Sequence, residues 1–295
     1  MAVPLTADQF LAALRAEGVT VVEVGSWRTH NRNSRGPWGP AHGVIVHHTV
    51  SSGTSSSVSL CYDGYDELPG PLCHGVIAKD GTVHLVGYGR TNHAGGGDPV
   101  VLEHVIAEDY GDRPPAPTKG NADGVDGNRA FYGFECINMG DGKDPWPAAQ
   151  LEAIERVSAA LCRAHGWSAK SVIGHLEWSD DKSDPRGFTM PTMRERVALR
   201  LGKTPAPPTP PAPSYEPFPG TDFFHVGQRS SIIAAMGRRL VAEGCSRYSV
   251  GPGPSWTESD RQSYAAWQRK LGYSGDDANG IPGPTSWAKL RVPNV

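Results

Sequence analysis

The sequence predicts an α/β domain, with a mixed β-sheet flanked by helices, followed by a small all-α helical bundle. Three observations carry this reading. Up to residue 202, short β-branched runs alternate with segments of helical period, the order expected of a sheet covered by helices. The stretch KTPAPPTPPAPSYEPFP then fills residues 203–219, with eight prolines in seventeen positions. Beyond it, only helical periods recur.

Each element has a local cause. Thr6-Ala7-Asp8-Gln9 is a capping-box sequence, and Phe10, Leu11 and Leu14 follow at helical spacing until Gly18 ends the segment. Val19 to Val24 reads as a strand, and Gly43 to Val50 (GVIVHHTV) as a buried one. Between Gly75 and Val86, Lys79-Asp80-Gly81 separates two apolar runs and signals a hairpin. Tyr132 to Asn138 is a further short strand. Pro147 is placed to open a helix at its first position, with Leu151, Ile154, Val157 and Leu161 as its apolar stripe and His165-Gly166 as its stop. Gly95 to Asp98 and Gly111 to Arg129 are rich in Gly, Pro and Asp and read as loops; the second is long enough to expect a functional role or disorder.

Proline lacks the backbone donor of a helix interior or central strand, so residues 203–219 are expected to be an extended polyproline II spacer. Pro205 to Pro213 alone would span about 28 Å at the rise of that conformation. The predicted domains are therefore 1–202, a tether at 203–219, and 220–295. In the last, Val226 to Glu243 and Glu258 to Leu271 are helical by period, Gly280-Ile281-Pro282-Gly283-Pro284 is a rigid turn, and Thr285 to Leu290 a closing helix. A unit of this size lies near the lower limit for a stable core.

Composition excludes several classes. Hydrophobic residues make up 38% and charged residues 20%, a globular rather than disordered balance. No apolar run approaches the ~20 residues of a membrane-spanning helix. Five cysteines, odd in number and without a C-x-x-C pair, argue against a disulfide scaffold or a four-cysteine zinc module. Net charge is -3, with nothing to favour nucleic acid. From Gly220 onward nine Lys/Arg face six Asp/Glu, whereas nineteen face twenty-five before it. A basic tail on an acidic body suits an anionic polymer, and scattered solvated charge explains it equally well. The opening Met-Ala-Val-Pro-Leu-Thr-Ala-Asp has no basic patch followed by an apolar stretch, so synthesis in the cytoplasm without a signal peptide is expected.

Three segments concentrate titratable and metal-capable residues: His47-His48-Thr49, Gly174-His175-Leu176-Glu177-Trp178 and Lys182-Ser183-Asp184-Pro185. A catalytic zinc takes about three protein ligands and keeps a position open. On a strand, His47 and His48 point to opposite faces, so one is a candidate ligand and the other a core or supporting residue.

The ordered set V-H-H-T, C-H-G-V-I-A-K-D-G-T-V, N-H-A-G, Y-G-F-E-C-I-N, G-H-L-E-W and K-S-D-P resembles the type-2 N-acetylmuramoyl-L-alanine amidases, which include peptidoglycan recognition proteins and bacteriophage endolysins. The tail, with D-R-Q-S-Y-A-A-W-Q-R-K-L-G-Y and N-G-I-P-G-P-T-S-W-A-K-L, resembles peptidoglycan-binding modules of cell-wall hydrolases. The resemblance implies one Zn²⁺ per catalytic domain, held by His47, His175 and Asp184. It implies Glu135 as the proton-transfer residue beside the catalytic water and Lys182 as the catalytic lysine. His74 and His93 match positions that line the substrate groove. The bond cleaved would join N-acetylmuramic acid to L-alanine of bacterial peptidoglycan.

One departure stands out. Some relatives carry a catalytic tyrosine immediately before the histidine matching His74; here that position is Cys73, read as a packed thiol. The expectation is a monomeric endolysin that reaches the wall only after release from the host cytoplasm. The alternatives are a non-catalytic peptidoglycan-binding or sensing protein, and a zinc peptidase cutting the stem peptide.

Overall fold

The computed structural model describes residues 2–204 and 215–293, and the chain divides into two compact units, Met1–Thr209 and Pro210–Val295. Residues 205–214, the heart of the expected polyproline spacer, lie outside the described residues.

The first unit is built on a six-stranded sheet. Across it run Val21–Glu23, Val83–Leu85, Gly75–Ile77, Phe131–Cys136, Gly43–His48 and Val172–Gly174. Every neighbouring pair is parallel except the hairpin of Gly75–Ile77 with Val83–Leu85, so the sheet is mixed, as expected. The strand Gly43–His48 is buried along its whole length. Its continuous β-branched run suits a strand covered on both faces, where polar alternation would strand charge in the core.

Side-chain alternation divides the two faces. Val44, Val46, Tyr132, Phe134 and Cys136 join the larger core, with residues of the helices Ala7–Ala16, Ala148–His165 and Met190–Leu201. Ile45, Phe131 and Ile173 face Val101, Val105 and Trp178 on the opposite side. His47 follows Ile45 onto that second face, and Glu135 follows Phe131. The two residues are register partners on adjacent strands. The fold thus sets an imidazole and a carboxyl side by side near the carboxyl ends of the two longest strands, where open α/β sheets bind ligands.

Local signals explain most boundaries. The Thr6 capping box forms, with Gln9 N–H donating to Thr6 Oγ1 and Thr6 N–H to Gln9 Oε1. Pro147 is the N-cap of Ala148–His165 rather than its first helical residue, and Gly166 ends that helix in the left-handed conformation. Three helices escaped the periodic reading: Thr54–Asp63, Pro99–Ala107 and Met190–Leu201. The loop 111–129 is largely irregular but tied down: Val125–Asp126 pairs with Gly96–Gly97, and both the N–H and Oγ1 of Thr118 donate to Asp98.

The described part of the second unit is all helical, with Ser231–Ala242, Glu258–Lys270 and Pro284–Leu290 as its α-helices. The first starts later than the expected Val226 because Ser230 caps it, accepting the Ile232 N–H at 3.2 Å. Trp256, Trp267 and Trp287 belong to its core with Ile233, Leu240 and Tyr264. The indole N–H groups of Trp267 and Trp287 donate to the carbonyls of Ser286 and Glu216. These tryptophans are packing residues, not an exposed stacking platform.

Candidate active site

Three side chains converge at the carboxyl edge of the sheet. His47 Nδ1 lies 2.9 Å from His175 Nδ1 and 3.1 Å from Asp184 Oδ2, and His175 Nδ1 lies 3.2 Å from the same carboxylate oxygen. They form the one His/Cys/Asp/Glu group with metal-site geometry among the described residues. Zinc–nitrogen and zinc–oxygen bonds of about 2.0–2.1 Å give a tetrahedral edge of about 3.3 Å, close to the three separations observed.

Local structure brings the second and third of these residues together. His175 begins a single helical turn, His175–Trp178, directly after the strand Val172–Gly174. The Leu176 N–H donates to the Asp184 carbonyl at 2.7 Å, folding the following loop back onto that turn. Glu177 accepts the Gly174 N–H and receives two hydrogen bonds from Arg194, at 2.7 and 2.9 Å. Trp178 donates to the Ala94 carbonyl and fills space kept open by Gly97 and Gly127. Glu177 and Trp178 thus hold His175 in place.

The donor set fits a cation. His175 Nε2 faces the Ala94 carbonyl at 3.3 Å; a carbonyl only accepts, so that nitrogen carries the proton and Nδ1 offers its lone pair inward. Burial, then the neighbouring His175, lowers the pKa of His47 to about 4, which keeps its ring neutral. Burial alone would raise Asp184, but the adjoining rings of His175 and His47 hold it well below the ordinary carboxylate range, so it stands as a carboxylate. Two neutral imidazoles and one carboxylate are what a divalent ion of zinc type requires.

The triad borders a cleft of about 300 Å³, whose lining includes Asp184, Lys182, Glu135, Leu60, Leu68 and Leu72. Glu135 Oε2 is inaccessible to solvent and has no hydrogen-bond partner. Burial, then Cys61 and Asp184, raises the Glu135 carboxyl well above its usual range, with Lys182 opposing. Among the described residues, Lys182 Nζ has no ion-pair or hydrogen-bond partner.

The other predicted positions separate. His48 points off the face that carries His47, its Nδ1 accepting the Arg186 N–H at 3.3 Å and its ring covering Gly140, and it borders the cleft without joining the triad. His93 borders the cleft but is only 8% exposed. His74 departs from the groove-lining position that the resemblance gave it. It is fully buried, its Nδ1 accepting the Gly133 N–H and its Nε2 donating to the Gly89 carbonyl. Cys73 is also fully buried, and burial with the nearby Cys61 pushes its thiol pKa well up, which suits packing rather than nucleophilic attack. Asn128, which sequence reasoning missed, accepts the backbone N–H groups of both His93 and Ala94 at 2.8 Å. No short motif marks it.

A mixed α/β sheet carrying a His/His/Asp metal triad beside a cleft carboxyl defines a metal-dependent hydrolase. Residues 37–187 match the N-acetylmuramoyl-L-alanine amidase family, Amidase_2. The chain belongs to that family, and its fold and triad are those of a catalytic zinc-type amidase acting on peptidoglycan. Similar solved structures include the N-acetylmuramoyl-L-alanine amidase LysC from Clostridium intestinale URNW, at 16% identity and a TM-score of 0.40, covering 60% of this chain and 97% of that one. The Staphylococcus aureus hydrolase AmiA aligns at 13% identity and 0.40, covering 62% and 82%. The Ph2119 endolysin from Thermus scotoductus MAT2119 bacteriophage Ph2119 aligns at 14% and 0.37, covering 60% and 98%. At these scores the alignments add nothing to the family assignment. No curated protein matches.

Proposed function

We propose that the protein is a zinc-dependent endolysin that hydrolyses the amide between the lactyl group of N-acetylmuramic acid and L-alanine of the stem peptide. The observation that carries this reading is the convergence of His47 Nδ1, His175 Nδ1 and Asp184 Oδ2 within 3.2 Å of one another beside a cleft. Held there, zinc would supply Lewis acidity, polarising the scissile carbonyl and lowering the pKa of a water from about 15.7 toward ~7.

The chain's own residues supply the rest. Glu135 takes the proton of the attacking water and returns it to the leaving amine. Its raised pKa suits a group that must both accept and release a proton. Lys182, free of a competing carboxylate partner, donates to the oxyanion that develops on the carbonyl oxygen. The apolar wall of Leu60, Leu68 and Leu72 limits the water around the reacting bond.

The C-terminal unit binds the wall and raises the effective concentration of substrate at the cleft. Its resemblance to wall-binding modules and its excess of basic residues support this role. The protein acts as a monomer, made in the host cytoplasm and reaching the wall once the membrane is breached. No described helix is long and apolar enough to cross a membrane.

Product analysis tests the activity. Mass spectrometry of digested wall is expected to find newly freed L-alanine amino groups on stem peptides and intact glycan strands. New amines within the stem peptide would mark a peptidase instead, and no new amines would mark a binding protein.

A further inference from the structure

We infer that His93 is a positioning residue that sets the tautomer and aim of His47, rather than a group that meets substrate; the inference rests on reading His47, His175 and Asp184 as a zinc site. His93 is held at both ring nitrogens. Its Nε2 lies 3.0 Å from the Phe131 carbonyl. That oxygen has no proton to give, so Nε2 carries the hydrogen and, in a neutral ring, Nδ1 is bare. His93 Nδ1 in turn lies 3.0 Å from His47 Nε2. For these nitrogens to bond, His47 Nε2 must be the donor, leaving its lone pair on Nδ1. That is the atom directed at His175 and Asp184.

His175 is set in the same way one residue further along. Its Nε2–H goes to the carbonyl of Ala94, so consecutive residues orient both imidazoles of the triad. The pair is clamped by Asn128 Oδ1, which accepts both backbone N–H groups. The His93 ring is seated on Gly133, where a Cβ would fall 2.3 Å from Nδ1. Gly133 lies two residues before Glu135 on the same strand, so the seat of the ring and the proton-transfer group are built on one backbone. With both nitrogens committed, His93 keeps no polar atom for a substrate. A hydrogen-bond acceptor behind a ligating histidine fixes ring orientation and strengthens the ligand, and its loss typically weakens metal binding about 10- to 100-fold.

Two measurements on the full chain test this. Long-range ¹H–¹⁵N NMR of the metal-free protein at neutral pH is expected to find the proton on Nε2 of both His47 and His93. Zinc affinity by chelator competition is expected to fall about 10- to 100-fold in His93→Phe. Most of it should return in His93→Gln, whose amide can accept from His47 and donate to Phe131. The visible spectrum of cobalt-loaded His93→Phe should shift in parallel. A proton on His47 Nδ1, or unchanged zinc affinity and cobalt spectrum in folded His93→Phe, would overturn the inference. Should His93→Phe fail to fold, the wild-type tautomer decides. If wild-type protein binds no zinc, the zinc reading fails instead, and the NMR result still judges the hydrogen bond.

Discussion

The cleft and the C-terminal core treat buried polar groups in opposite ways. In the helical unit they are paired: Tyr264 with Ser286, Trp267 with the Ser286 carbonyl, and Asp260 with Tyr248 and Thr257. None of the described buried polar side-chain atoms lacking a partner lies in that unit. At the cleft, three acceptor atoms crowd together and the Glu135 Oε2 atom is left without a donor. An unpaired buried polar group costs about 1–3 kcal/mol. Among the described residues, Glu17, Trp38, Gln150 and Ser158 of the first unit also hold such an atom; Glu135 is the one of them that lines the cleft beside the triad.

The largest expected effect sharpens this contrast at Glu135. Glu135→Gln keeps the shape and removes proton transfer, so kcat should fall about 10²- to 10⁴-fold with zinc content unchanged. Activity close to wild type in steady-state assays on soluble muropeptides would remove Glu135 from the mechanism. Lys182→Ala comes next, with kcat lowered about 10²- to 10³-fold and KM little altered. A change confined to KM would recast the lysine as a binding residue.

The helical unit should respond through stability. Trp287→Ala empties part of a small core in which Trp287 packs with Phe218 and Phe224 and should cost about 3–5 kcal/mol, lowering the melting temperature and wall retention of that unit. Hydrolysis of soluble fragments should persist. Equal loss on wall and soluble substrate would break the distinction between the two units.

An effect confined to acid pH separates His74 from the histidines of the triad. Burial lowers its pKa to about 3 in the folded protein, against about 6.5 unfolded. The unfolded state therefore binds the extra proton as pH falls below 6.5. The stability held above that pH is lost toward pH 3, by up to about 1.4 kcal/mol per pH unit. His74→Gln should flatten the acid limb of a stability–pH profile by about one proton. An unchanged slope would show that His74 does not titrate in this way.

Much of this was legible in the sequence. Strand alternation separated His47 from His48, and the order of the motifs brought His175 and Asp184 to the same edge. What escaped had physical reasons. Thr54–Asp63 is TSSSVSLCYD, serine-rich and without a wide apolar stripe, and glycine stands at its N-cap. Pro99–Ala107 is rich in β-branched residues, which weakens its helical signal, and its cap is Asp98, whose side chain accepts the Val100 N–H. Met190–Leu201 carries readable signals in the Thr189 cap and early proline. The misplacement of His74 has a different cause. A motif position conveys residue type and order, but not which neighbours will enclose the ring. The same holds for His93, whose partners lie 38 and 46 residues away in sequence.

Metal stoichiometry tests the central claim most directly. Purified wild-type protein, loaded with zinc and passed through a desalting column, should retain one zinc per chain, while folded Asp184→Ala should retain none and lose hydrolysis. Full lytic activity in a zinc-free protein, or undiminished zinc in Asp184→Ala, would contradict it.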